Sequence, residues 1–277
     1  MKKIALLLSL IFIIFSSCSN KEITNFTISE KIDNHVIWKI IQTPKLKIND
    51  LPASINVLDI DMNKFEGDLE MVWYEDSLVI LSDIAEKHSA LAGINGSYFD
   101  MEVGGAWVFL QAEGREVAGN KSRVVFSHSG AFAQDTTGRF TILKRPETDW
   151  TYSPAYDFVM SAGPIMIHEG QICKIDSVTF NLNRHPRTAI GITKNYHIIL
   201  VTVDGRHKNA AGMNIPELTT LMKNLKCTDA LNLDGGGSTT MYIKGKNANG
   251  VVNYPTDNKK FDHEGQRPVS NAILLLK

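Results

Sequence analysis

Asp234 is followed by Gly235, Gly236 and Gly237, then by the hydroxyl residues Ser238, Thr239 and Thr240. Apolar stretches, 231–233 and 241–243, flank this run. Three glycines inside a strand pattern mark a place where backbone comes close to something. A carboxylate at the lip of such a bend can be aimed at a ligand, and exposed N–H groups there can cradle an anion. A plain hairpin turn accounts for the same residues, so the bend gains meaning only from what else the chain supplies.

Four more polar clusters stand beside strand-like runs. Asn95-Gly96-Ser97-Tyr98-Phe99-Asp100 and Asp204-Gly205-Arg206 follow strands, and His185-Pro186-Arg187-Thr188 and Arg267-Pro268-Val269-Ser270-Asn271 open them. Loops from distant parts of a chain can converge on one face of a rigid sheet. The guanidinium forks of Arg187, Arg206 and Arg267 suit phosphate or carboxylate. Asp204 and Asp234 bring carboxylates, and His185 titrates near neutrality. Each arginine also has a plainer role as a surface ion-pair partner, and Asp204-Gly205 and Asn95-Gly96 also read as simple turns.

Several other chemistries fail on spacing. There is no His-Glu-x-x-His and no Cys-x-x-Cys for zinc. The glycine run lacks the Gly-Lys-Ser/Thr of a nucleotide loop, and no glycine stands two residues after Ser238, as a hydrolase nucleophile elbow needs. Ser238 therefore reads as a ligand hydrogen-bonder or turn residue rather than a nucleophile.

Short β-branched and apolar runs must position these clusters. Residues 35–41, 55–61, 72–74, 91–96, 124–126, 140–143, 158–160, 165–168, 188–192, 196–203 and 269–276 read as strands, with 45–49 a shorter candidate. Two helices are expected. One runs over 78–92. The other spans 215–225, with Asn214 as cap, Pro216 in the first turn and Glu217 at the positive end of the dipole. The pattern gives an α+β fold: a mixed, mostly antiparallel β-sheet with two principal helices packed on it, in a single domain. The polar stretch 244–266 is long for a loop, which suits a specificity lid, with Asp262, His263 and Glu264, or a mobile segment.

Of 277 residues, 43% are hydrophobic and 21% charged, enough apolar material for a sizeable core, and the net charge of −1 gives no basic field for nucleic acid. Lys2 and Lys3 precede an apolar run from Ile4 to Phe15, then Ser16, Ser17 and Cys18. The run is short for a bilayer span, which needs about 20 apolar residues, and fits a secretory signal. Phe15-Ser16-Ser17-Cys18 resembles a bacterial lipobox with phenylalanine in place of leucine. That resemblance implies cleavage before Cys18, lipidation of its thiol, and an exported lipoprotein anchored in the cell envelope. An ordinary signal peptide with an incidental cysteine is the plainer alternative. Residues 1–17 are thus the expected lipoprotein signal, 18–30 a tether and 31–277 the domain. Export permits a Cys173–Cys227 disulfide without requiring it, and their apolar neighbours suit separate buried thiols.

Taken together, these clusters resemble the phosphodiester glycosidase family. The matching pieces are residues 93–99, 161–164, 184–191, 203–206, 232–239 and 267–271, in the family's order, and they cover roughly 90–277. Asp-Gly-Gly-Gly-Ser and His-Pro-Arg-Thr are specific in combination; residues 31–89 match only loosely. Ser161-Ala162 stands where the family often has further glycine. The resemblance implies a catalytic domain that hydrolyses a sugar-1-phosphodiester, releasing the sugar and a phosphate monoester.

Phosphate is a good leaving group, so electrostatic stabilisation of the departing oxygen matters more than acid help. Arg187 and Arg206 suit that role, with the amides of Gly235, Gly236 and Gly237 assisting and Arg267 and Thr239 as further substrate contacts. Asp234, with Asp204 second, would attack the anomeric carbon or activate water. His185 would shuttle a proton or hold substrate, while Asn95 and Ser238 would position sugar hydroxyls. A divalent metal on Asp234 and Asn95 is an open alternative. So is a non-catalytic surface lipoprotein that binds a glycan or anionic polymer, or a phosphodiesterase or transferase acting on envelope polymers through the same site.

Overall fold

The computed structural model describes residues 26–277. The expected signal, Cys18 and tether residues up to 25 lie outside the described residues. The core element is an eight-stranded sheet. Its order is Ile28–Asp33, Val36–Thr43, Ala53–Asp61, His197–Val203, Arg187–Thr193, Cys227–Asn232, Ile165–His168 and Gln171–Ile172. A five-stranded sheet runs Arg115–Ala118, Leu110–Ala112, Tyr156–Ala162, Gly130–Asp135 and Phe140–Lys144. A four-stranded sheet runs Met241–Ile243, Ala92–Asn95, Asn271–Leu276 and Asp68–Trp73. The pairings across all three are antiparallel.

The two-residue side-chain period explains the layering. In the central strands Val57, Ile199 and Val201 face the helix Ile215–Asn224, packing with Leu218, Leu221 and Met222. Their neighbours Leu58, Ile60, Ile198 and Leu200 face the other way, onto Phe132, Phe140 and Phe158 of the five-stranded sheet and Ile94 and Ile273 of the four-stranded one. Burial at consecutive positions, as over 53–58 in the strand Ala53–Asp61, is what a sheet covered on both faces produces. The helix Leu81–Lys87 packs on the far face of the four-stranded sheet through Leu81, Ile84 and Ala85, against Val72, Ala272 and Leu274. The α+β expectation with two principal helices therefore matches the structure.

Some local expectations differ. Val124–Phe126 is not a strand; Val125–His128 forms a 3-10 turn, because Ser122 Oγ accepts from the Val124 amide and Ser127 Oγ donates to the Val124 carbonyl. Such local side-chain bonds offer the backbone an alternative to a ladder. Residues 45–49 form turns, with the Asp50 amide donating to Leu46 and Asn49 Oδ1 accepting from Leu51. The helix expected over 78–92 is limited to Leu81–Lys87. Val79 is held in a β-bridge with Val269, and Ser89, at φ 55°, ends the helical run. The first strand begins at Ile28, inside the expected tether. Cys173 and Cys227 are separate free thiols, half-buried and buried.

Candidate active site

The glycine bend joins two sheets. Cys227–Asn232 ends in the eight-stranded sheet, and Met241–Ile243 starts in the four-stranded one. Asp234 therefore sits at a seam, and backbone bonds fix it there. Its amide donates to Gly96 O at 3.1 Å, and its carbonyl accepts from Asn95 Nδ2 at 2.7 Å. Asn95 Oδ1 accepts from Thr188 Oγ1 (2.8 Å) and the Thr240 amide (3.1 Å), so this buried side chain ties three segments together. Its amide meets the Asp234 backbone rather than the carboxylate, and its hydrogen-bonding capacity is taken up by protein. No group of three or more His, Cys, Asp or Glu among the described residues is arranged to hold a metal ion.

Within the bend, the Gly235 amide donates to Asp234 Oδ1 at 3.0 Å and the Gly236 amide to Pro186 O at 2.9 Å. The Ser238 and Thr239 amides close the tight turn onto Gly235 and Gly236. These bonds hold the carboxylate and the bend itself, so little of an anion cradle remains. Ser238, Thr239 and Thr240 are buried, and their hydroxyls lack a hydrogen-bond partner. Ser238 Oγ is nonetheless close enough to the Asp234 carboxylate to favour its charged form, though short of full hydrogen-bond geometry.

Asp234 opens onto a cavity of about 580 Å³. Arg267, Tyr98, Asp100, Glu102, Ser122 and Ser127 share its walls, together with the rings of Phe99, Trp107, Phe126 and Phe180. Burial pushes the Asp234 carboxyl up to about 6, against the pull of Ser238, the Arg267 guanidinium and the Gly235 amide. A carboxyl that titrates there is poised to accept a proton or attack near neutral pH. The other two carboxylates lie on the exposed lip, and Asp100 Oδ1 accepts from the amides of Glu102 and Val103 in its own loop.

The three predicted arginines gather around the bend but divide the work. Arg267 lines the cavity, its Nε and Nη2 donating to Asp257 Oδ1 at 2.8 and 2.5 Å. A Cβ on Gly237 would lie 2.5 Å from Arg267 Nη2, so glycine is what admits this cation. Arg206 is exposed and lies against Gly236, whose φ is 64°. Arg187 is fully buried; Nε donates to Met213 O (3.0 Å) and Nη2 to Phe180 O (2.7 Å) and Asn183 O (3.0 Å). Burial, with Arg206 nearby, lowers its pKa to about 10. Arg187 thus spends its Nε and Nη2 on holding the 180–187 segment, and Phe180 lies over its guanidinium, 4.7 Å from the ring centroid.

His185 is half-buried beside Phe180, with ring centroids 6.4 Å apart. Burial lowers its pKa, and Arg187 and Arg206 lower it further. It does not line the cavity, and neither does Arg206. Asp204 does not line the cavity either. Its buried carboxylate accepts from Ser54 Oγ (2.6 Å), Asn253 Nδ2 (2.9 Å) and the Tyr254 amide (2.9 Å), and burial raises it to about 6. These bonds anchor the long segment 244–266 to the eight-stranded sheet. The segment is built rather than loose: Tyr254 stacks between Phe261 and His263, and Phe261 on His207. Its Asp257 is what holds Arg267.

Reading the sequence alone misses Tyr98, Phe126, Phe180, Trp107 and Asp257. Tyr98 could have been found, because it lies in the cluster after Asn95. Its hydroxyl donates to Gly163 O at 2.6 Å and accepts from Asn232 Nδ2 at 3.2 Å, and burial and the Asp234 charge keep it protonated. The others carry no local signal: they are ordinary residues that acquire meaning from the cavity.

A family profile for phosphodiester glycosidase matches residues 88–276. Over 192 residues, the chain is 29% identical to the N-acetylglucosamine-1-phosphodiester alpha-N-acetylglucosaminidase of Bos taurus, covering 64% of this chain and 35% of that one. It is also 28% identical over 106 residues to the SPbeta prophage-derived protein YomE of Bacillus subtilis, covering 32% and 16%. The chain thus spans about a third or less of these relatives' length. The fold is that of the zebrafish N-acetylglucosamine-1-phosphodiester alpha-N-acetylglucosaminidase catalytic domain, solved auto-inhibited by its pro-peptide. The TM-score is 0.68 at 18% identity, with 92% of this chain and 86% of that chain covered.

Proposed function

The chain belongs to the phosphodiester glycosidase family, and on that premise we propose that it hydrolyses the bond between an anomeric carbon and a phosphate oxygen. The products are a free sugar and a phosphate monoester. The observation that carries this reading is the placement of Asp234 and Arg267 on one cavity, with burial raising the carboxyl to about 6 and the guanidinium acting on it.

In this reading the phosphodiester lies against Arg267, whose fixed positive charge gains most as negative charge builds on the departing oxygen. Asp257 fixes that guanidinium in place. The Asp234 carboxylate, aimed by the Asn95 and Gly96 bonds to its backbone, meets the anomeric carbon directly or through a water. Retention or inversion of the product's anomeric configuration distinguishes those two routes. Arg206, outside the cavity against Gly236, adds positive charge to the bend from its other side, and His185 takes no direct part. Arg187 and Asn95 act one step back, by holding the segments that bear these groups.

Asp234→Asn tests the reading. Turnover of N-acetylglucosamine-1-phosphate methyl ester is expected to fall by roughly a thousandfold or more, with the folded state intact by circular dichroism. In the native chain, kcat/KM rises with pH through about 6 as the carboxyl ionises. Near-normal turnover of the variant removes Asp234 from the mechanism.

Export and lipid anchoring at Cys18 belong to the same proposal, supported by the Lys2–Lys3 start, the apolar run and the lipobox-like Phe15–Cys18. Cys18→Ala is expected to move the protein from the membrane to the soluble fraction of a bacterial host. Unchanged membrane retention counts against the anchor.

A further inference from the structure

The mouth of the Asp234 cavity is apolar in a way that sugar and phosphate do not explain. Ten large hydrophobic side chains are exposed among the described residues; five stand on two short loops beside this cavity, and three of those five are on its wall. Met101, Val103 and Trp107 are on one loop and Val124 and Val125 on the other, with Met101 61% and Val103 65% exposed. Met101, Trp107 and Val124 line the cavity itself. Scattered exposed hydrophobic residues are normal; a cluster at a cavity mouth marks something that covers it.

The loops display these side chains on rigid turns. The Gly104 amide bonds Asp100 O, the Asp100 amide bonds Gly105 O, and Asp100 Oδ1 accepts from two more amides of its loop. Val124 is held at its amide by Ser122 Oγ and at its carbonyl by Ser127 Oγ. Behind them Phe126 stacks on Phe180, with centroids 4.9 Å apart. Met101, Trp107, Val124, Phe126 and Phe180 line the same cavity as Asp234 and Arg267.

We propose that the second ester of the phosphodiester carries a hydrocarbon chain, so that the substrate is a sugar-1-phosphate ester of a lipid-class alcohol. This rests on the glycosidase reading above. The sugar end meets Asp234, the phosphate meets Arg267, and the chain lies along the Met101–Trp107–Val124 wall. Continuity chooses this occupant, because whatever covers the wall is attached to what sits at the carboxylate. The chemistry agrees. Aromatic rings alone would suit a sugar face, but the exposed aliphatic side chains of Met101 and Val124 on the same wall favour hydrocarbon. The lip also carries Asp100 and Glu102. Carboxylates there disfavour docking on an anionic membrane surface and leave a single inserted lipid chain as the fitting ligand.

The test uses N-acetylglucosamine-1-phosphate esterified with methanol, butanol, octanol or decanol, each below its micelle concentration. Burial of each methylene predicts kcat/KM rising by about threefold per methylene over the first few carbons, and at least about thirtyfold from methyl to decyl. In the double variant Met101→Ser, Val124→Ser, the decyl-to-methyl ratio is expected to collapse several-fold. Equal kcat/KM for the methyl and decyl esters overturns the inference while leaving the glycosidase reading standing. If neither ester turns over, the glycosidase reading fails and binding still decides. Decyl phosphate should then shift the Trp107 fluorescence, identified with Trp107→Phe, at concentrations where methyl phosphate does not. Equal affinity for the two phosphates, or a Trp107 signal set only by protein self-association, overturns the apolar site.

Discussion

At the scale of single residues, the site depends on absent side chains as much as on present ones. Gly237 leaves room for the Arg267–Asp257 pair, since a Cβ there would sit 2.4 Å from Asp257 Oδ1 and 2.5 Å from Arg267 Nη2. Gly237→Ala must displace that pair. We expect kcat/KM for a sugar-1-phosphodiester to fall at least about tenfold, with a thermal midpoint within a few degrees of the native chain. Gly114→Ala is the control. Nothing lies within 4 Å of a Cβ there, but φ is 71°. It should lose about 1 kcal/mol of stability in urea and keep its activity. Arg187 is the converse case: a guanidinium that reads as a phosphate fork is spent on three carbonyls, which a permanently charged buried side chain requires.

At the scale of elements, loops hold the chemistry, and bonds between distant segments hold the loops. The helix Ile215–Asn224 shows how fully a local signal can be legible. Asn214 Oδ1 accepts from the Glu217 amide at 2.9 Å, and Glu217 Oε2 accepts from the Asn214 amide at 3.1 Å, a reciprocal capping box. Asn214→Ala is expected to cost about 1 kcal/mol in urea unfolding, leaving the m-value unchanged. The segment 244–266 shows the opposite. Its polar composition suits a lid or a mobile stretch, yet the Asp204 carboxylate and the His207–Phe261–Tyr254–His263 stack fasten it down. The strand expected over 124–126 gives way to the turn Val125–His128 because its serines act on the backbone only locally, which apolar periodicity does not register.

At the scale of the molecule, two desolvated carboxyls, one buried and one facing the cavity, set a dependence of stability on pH. Asp204 and Asp234 are both raised to about 6 from an ordinary value of 3.8. Between those values the folded chain binds more protons than the unfolded one, so stability falls as pH rises through this window. Asp204 accounts for roughly 3 kcal/mol and the cavity-facing Asp234 for less, both lost above about pH 6. Asp149, lowered to about 2 by Arg145, acts in the opposite sense and only in more acid solution. Asp204→Asn keeps the shape of the Ser54 and Asn253 contacts and removes the charge. Its stability relative to the native chain, measured in urea, should therefore rise between pH 4 and pH 7. A constant difference across that range rejects the assignment.

The linear chain by itself determined the strand-rich α+β architecture, the capped helix, the family and the chemically useful types Asp234, Arg206 and Arg267. Periodicity, caps and contiguous motifs are properties of neighbours in sequence. Tertiary packing alone decided which of two similar aspartates opens onto the cavity. Asp234 ends at a seam between two sheets and faces a cavity, while Asp204 is enclosed by Ser54, Asn253 and Tyr254. Packing likewise decided that Asn95 and Arg187 brace the site and that Trp107 and Phe126 wall it. Burial and direction come from contacts between separate segments, up to 150 residues apart for Ser54 and Asp204, and no local pattern encodes them.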